Sequence, residues 1–219
     1  MIAAFIKGIS QLNDRRTQRV LWISIIAASV AFALLWFGVG VLLTTTSIFT
    51  LGWLEWVVKL FGGLATFVFT WFLFPGVISA VIGIFLGEIA AAVEARHYPN
   101  IGPAVEFPMA KAIKVTLGYL GVLIVLNLFL LVFLLIPPLF PFVFYSVNGY
   151  LLGREYFELV AFRRVHPVEA RRLRKAHRGK LFMTGVVMAL LLTLPVVNLL
   201  APVVITAAMV HLFQDWREG

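Results

Sequence analysis

Polar residues along the chain are clustered and leave long apolar intervals between them. No charged residue occurs in 20–43, 60–87, 115–153 or 181–210. A helix needs ~20 apolar residues to cross a hydrocarbon core of ~30 Å. The interval 20–43 predicts a first transmembrane helix, with Trp22 and Trp36 at or near the interfaces. A second long span is expected over 57–92, with a kink or break at Pro75-Gly76. The block 115–153 reads as a helical hairpin that turns at Pro137, Pro138 and Pro141. The block 181–213 reads as another, turning between Pro195 and Pro202. Its arms are only about 14 and 12–15 residues, roughly 21 Å for the first, so this hairpin is expected to enter the bilayer and turn back. A turn at that depth is tolerated when protein or a cavity surrounds it, which argues for packing against the long spans or for a homo-oligomer.

Ahead of these blocks, Ile2, Phe5, Ile6, Ile9 and Leu12 recur at helical spacing. Residues 1–12 are therefore expected to form an amphipathic helix in the interface plane. Asn13 or Asp14 is placed to cap the helix that follows. The first apolar run is too long for a signal-peptide core and no small-x-small site follows it, so it reads as a retained span. Residues 95–109, with Pro99, Pro103 and Pro108, read as a loop.

Composition agrees with the pattern. Of 219 residues, 62% are hydrophobic and 13% charged, against about 25% charged in soluble domains. The expected fold class is an all-α integral membrane protein, one membrane domain over 1–219, with two long transmembrane helices and two helical hairpins, at least the second re-entrant. The chain has no cysteine, which removes disulfides, thiol catalysis and cysteine-bound metal.

The charge balance is +8, and the segment 163–180 carries eight of the eighteen basic residues against one acid, Glu169. It reads as a cytoplasmic loop obeying the positive-inside rule, able to attract anionic lipids, rather than as a nucleic-acid site. With the N-terminus inside, two spans return the chain to the same side and each hairpin leaves and re-enters there. All basic stretches then face the cytoplasm, and the outer connection 44–56 carries only Glu55. The expected location is a cell inner (plasma) membrane.

Several clusters are distinctive: Gly8; Asp14-Arg15-Arg16; Phe85-Leu86-Gly87-Glu88 and Val93-Glu94-Ala95-Arg96; Asn148-Gly149-Tyr150 through Gly153-Arg154-Glu155-Tyr156; and Pro195-Val196-Val197-Asn198 through Pro202. In these the chain resembles the CysZ sulfate-permease family, within the wider etoposide-induced-protein-like family. The resemblance implies two long helices, two part-way hairpins, oligomerisation, and sulfate uptake that feeds cysteine assimilation. It also implies that Arg15 and Arg16, ahead of the first span, bind sulfate. That chemistry is sound, because guanidinium groups offer planar charge-assisted donors to a tetrahedral dianion and helix N-terminal amides add a positive field. Asp14 opposes it unless engaged as a cap.

Arg154 and Asn198 complete the candidate substrate-binding residues. Arg154 and Glu158 are spaced i, i+4 and can pair; Asn198 can satisfy backbone groups freed by Pro195 and Pro202. Glu88 suits a basic partner. Glu88 or Glu158 offers a proton site, since a dianion moving inward works against about 4–5 kcal/mol per 100 mV. His211 and Asp215 form an interfacial pair near the C-terminus rather than a metal site. No phosphate-binding loop, nucleophile elbow or dinucleotide fingerprint occurs, so neither an enzyme nor a cofactor is expected. The functional expectation is an anion permease or channel for sulfate or a similar oxyanion. The alternative is a non-transporting scaffold that organises the bilayer.

Overall fold

The computed structural model describes residues 2–45, 52–102, 104, 121–122 and 124–218. Among them every regular element is helical. In chain order they are α1 (Ile2–Ser10), a short 3-10 turn (Gln11–Asn13), α2 (Arg15–Thr45), α3 (Gly52–Ile84) and α4 (Leu86–His97). Next come α5 (Ile124–Phe133), α6 (Phe140–Ala161), α7 (Pro167–Ala176), α8 (Arg178–Thr193), α9 (Pro195–Asn198) and α10 (Ala201–Glu218).

Asp14 starts α2 as expected. Its Oδ1 accepts the backbone N–H of Arg16 at 3.0 Å and of Thr17 at 3.3 Å, two of the donors a helix start leaves orphaned. The helix then runs for 31 residues, about 46 Å at 1.5 Å per residue. Its buried stripe is Thr17, Val20, Ser24, Ala28 and Phe32, spaced three or four residues apart on one face. Past Phe32 no residue of α2 is buried. α2 packs on α3, and near their tips Trp36 Nε1 donates to Thr70 Oγ1 at 3.1 Å. Among the described residues, the helices long and apolar enough to cross a membrane are Arg15–Thr45 and, within α3, Gly52–Trp71.

The break expected at Pro75-Gly76 is not found there. α3 stays helical through that pair, and the chain restarts at Phe85. The Phe85 N–H bonds back to the Ile82 carbonyl at 2.9 Å, while the Phe85 carbonyl accepts from Glu88 and Ile89 at 2.9 and 3.0 Å. A proline removes one donor, which a helix tolerates where its surroundings re-satisfy the freed carbonyl; the tightened turn at Phe85 is what separates α3 from α4.

The turn of the first hairpin lies between α5 and α6, at Pro137-Pro138, and α6 starts with Pro141 in its first turn. Residues 115–120 and 123 of its first arm, and 103 and 105–109 of the stretch expected as a loop over 95–109, fall outside the described residues; 95–97 of that stretch are helical, the end of α4. The last hairpin turns through α9 between Pro195 and Pro202, with arms of 16 and 18 residues, longer than the apolar runs alone suggested.

The segment 163–180 is no loop. After a turn at 162–166 it forms α7, where His166 precedes Pro167 at the first helical position, a favoured place for proline. It then enters α8.

α10 is the centre of the body. Ala201–Gln214 is buried throughout, as is Trp216, and α1, α4, α6 and α8 pack around it. Close approach is permitted by glycine. A Cβ on Gly8 would sit 2.6 Å from the Val204 carbonyl of α10. At the α6–α8 crossing, a Cβ on Gly149 would lie 2.9 Å from the Val186 nitrogen, one on Gly153 2.8 Å from the Leu181 carbonyl, and one on Gly185 would run into the Gly149 carbonyl. Small residues at such crossings let backbones touch, as in membrane helix pairs.

Candidate functional site

α1 turns its small residues inward. Ala4 and Gly8 are buried, whereas Ile2, Ile6 and Ile9 are exposed. The 3-10 turn then delivers Asp14, Arg15 and Arg16 to the start of α2. Because Asp14 is committed to the cap, and lies 3.8 Å from Arg96 Nη1, its charge is partly answered. The cap also occupies the amides of Arg16 and Thr17, so an anion at this junction would meet guanidinium groups rather than those N–H groups.

Arg16 and Arg19 line a cavity of about 450 Å³ between α2 and α4, together with Glu88, Val20, Ile23 and Ile89. Arg15 is exposed and does not line it. Glu88 therefore faces the same space as the basic residues. Beneath the junction, both amide atoms of Gln11 and the Thr17 hydroxyl are buried and have no protein hydrogen-bond partner, and the same holds for Gln214 Nε2 on α10. Unpaired buried polar groups of this kind cost about 1–3 kcal/mol each unless water or a ligand meets them.

Arg154 and Asn198 lie elsewhere. Arg154 Nε pairs with Glu158 Oε1 at 2.9 Å, as its spacing suggested, and Arg174 Nη1 reaches the same oxygen at 3.1 Å. Arg154 lines a second cavity, between α6, α7 and α8. Asn198 ends α9, half-buried at the turn of the last hairpin. The fold thus does not bring the four candidate residues into one pocket.

Two clusters escaped the sequence. Glu94 is only 2% exposed and holds two arginines. Arg163 Nη2 reaches its Oε2 at 3.1 Å, Arg164 Nε its Oε1 at 2.9 Å, and Arg164 Nη2 also contacts Oε2. Arg164 further donates to the Gly102 carbonyl at 2.8 Å, in a loop whose glycine has φ of +76°. The second cluster is built on His211. It is buried in α10, with Nδ1 2.8 Å from the Tyr98 hydroxyl and its ring 4.9 Å from that of His97. No group of side chains suited to a metal ion occurs among the described residues.

These contacts gather the basic parts at one end of the molecule. Asp14 meets Arg96, Glu94 meets Arg163 and Arg164, and His177 stacks on Trp216 with rings 4.9 Å apart. The family described as sulfate transporter CysZ/etoposide-induced protein 2.4 matches residues 4–202. The chain belongs to this family. CysZ-family membership makes it a membrane protein of sulfate-transporter type. The match takes in both arginines at the start of α2 and the α6–α8 glycines, and stops at Pro202, so most of the core helix α10 lies beyond it. No curated protein and no solved structure matches.

Proposed function

We propose that this CysZ-family member is an inner-membrane anion permease or channel for sulfate, loading its substrate at the α1–α2 junction. The observation that carries the reading is the basic cavity between α2 and α4, in which Arg16 and Arg19 face a space of about 450 Å³ while Asp14 is engaged as a cap. Guanidinium groups suit a tetrahedral dianion. Arg15, exposed beside the mouth, adds to the attraction. Glu88 in the same cavity opposes an anion when ionised, and its protonation would ease passage. A route using Arg154 and Asn198 as well would continue through the body toward the last hairpin. In this reading α8–α10 is re-entrant, the basic end is cytoplasmic, and the sulfate taken up serves cysteine assimilation. A homo-oligomer covers the exposed apolar flanks of the half-spanning elements.

The test is labelled-sulfate uptake into proteoliposomes, wild type against Arg15→Ala/Arg16→Ala. Saturable uptake is expected in the wild type, reduced at least tenfold in the double variant. Flux that survives the change keeps the permease and moves the loading site. A folded protein with no flux above empty liposomes overturns the reading and favours a bilayer scaffold, for which the exposed α2–α3 hairpin and the outward Ile2, Ile6 and Ile9 are suited.

A further inference from the structure

We infer that the cavity between α6, α7 and α8 binds the phosphate of an anionic phospholipid headgroup. The argument is independent of the sulfate reading and starts from charge. Arg154, Arg174, Lys175 and Arg178 line a cavity of about 220 Å³, with Tyr150 beside them. Glu158 is an acid in contact with these cations, and one of its oxygens is shared between Arg154 and Arg174. Among the described residues Lys175 and Arg178 have no ion-pair partner. The cavity therefore holds a surplus of positive charge that an anion would offset.

Its polarity has a direction. α8 starts at Arg178 with no side-chain cap and no acid in its first turn, so its free N–H groups and positive dipole end lie at the cavity. The remaining walls are Leu181 and Phe182, where α8 becomes apolar. Phe182 and Met183 are exposed, at 37% and 55%. A basic recess opening onto an exposed apolar helix face matches a lipid: phosphate among the cations, acyl chain along α8. A free oxyanion would use the cations and leave the apolar wall without a role. The space is below the ~300 Å³ at which drug-sized sites begin, which suits a headgroup phosphate.

The cavity differs from the rest of the basic surface. Arg171 and Arg172 are exposed and lie with Val168 in an adjoining groove along α7 that shares Arg174 and Lys175 with the recess, but neither lines the recess itself. They give a matched control, since removing them changes net charge equally without touching the recess.

The experiment uses the purified full chain in a nonionic detergent, titrated with short-chain phosphatidylglycerol, short-chain phosphatidylcholine or inorganic phosphate. Saturable binding of phosphatidylglycerol at one per chain is expected, with phosphatidylcholine at least tenfold weaker. Lys175→Gln/Arg178→Gln should weaken phosphatidylglycerol roughly 30-fold, from two contacts of ~1 kcal/mol each, and Arg171→Gln/Arg172→Gln less than threefold. Both double variants alter exposed side chains, and an unchanged lipid-free melting temperature confirms that they fold. Equal losses in the two variants would overturn the site in favour of diffuse attraction. Inorganic phosphate competing as well as the lipid would overturn the lipid assignment, and so would equal binding of phosphatidylcholine.

Discussion

The α2–α3 hairpin and the Ala201–Phe213 part of α10 are both apolar and have opposite surroundings. α2 exposes Leu34, Leu35, Phe37 and Leu42, and α3 exposes Phe61, Phe69 and Trp71. α10 hides every residue from Ala201 to Gln214. Hydropathy does not distinguish these cases, because lipid tails and packed side chains are equally apolar. Residue size and polar content do. α10 is rich in small residues, with Ala201, Ala207 and Ala208 on view only to neighbouring helices, and it carries buried Thr206, His211 and Gln214. Large aliphatic and aromatic side chains crowd the hairpin, which meets solvent or lipid on most sides. A helix destined for protein must fit its neighbours; one destined for lipid must only be long and greasy.

The strongest test of that contrast is steric. Gly185→Val puts a branched side chain where the Gly149 carbonyl stands, and α6 and α8 cannot both keep their paths. Loss of the monodisperse folded species in size-exclusion chromatography is expected. Gly63→Val on α3, where a Cβ meets nothing within 4 Å, should leave the elution profile unchanged.

Next in size is Glu94→Gln, which leaves Arg163 and Arg164 without their shared counter-charge at a site only 2% exposed. Removing one partner of a buried ion pair costs about 3–5 kcal/mol. A thermal or denaturant melt in detergent should show it, and a variant as stable as wild type would mean that water reaches the cluster.

The same comparison predicts a smaller difference between truncations. Met209→Ala, at a fully buried α10 position, should cost about 2–5 kcal/mol. Leu34→Ala, 66% exposed on α2, should stay within about 0.5 kcal/mol in detergent. Equal losses would mean that the hairpin tip is packed in an assembly.

What could be read from the chain follows the range of the interactions. Asp14 as a cap and Arg154 with Glu158 are local, so spacing revealed both. The proline turns at 137–138 and 195–202 were legible because proline acts on its own backbone. Glu94 was not, because its partners lie 69 and 70 residues away and nothing near it marks a buried acid. The contact of His211 was no more legible, because Tyr98 lies 113 residues away. The break at Phe85 has no proline to announce it. The basic segment hid α7 because charge count, not periodicity, dominated its reading, and two of its arginines turn inward to Glu94. For the candidate site, Arg16 could be singled out from sequence, but its cavity partners Arg19 and Glu88 come together only once α4 folds back along α2.

The position of α10 also bears on how the molecule is made. Gly8 in α1 is shaped to fit Val204 in α10, so α1 must wait for a helix that is made much later. At ~5–20 residues per second, the 195 residues between those positions take roughly 10–40 s to synthesise. Over that interval the long hairpin can already sit in the bilayer, while α1, α4 and α6 hold uncovered faces meant for a helix that does not yet exist. Assembly around the body is therefore a late event, closed by the arrival of one segment.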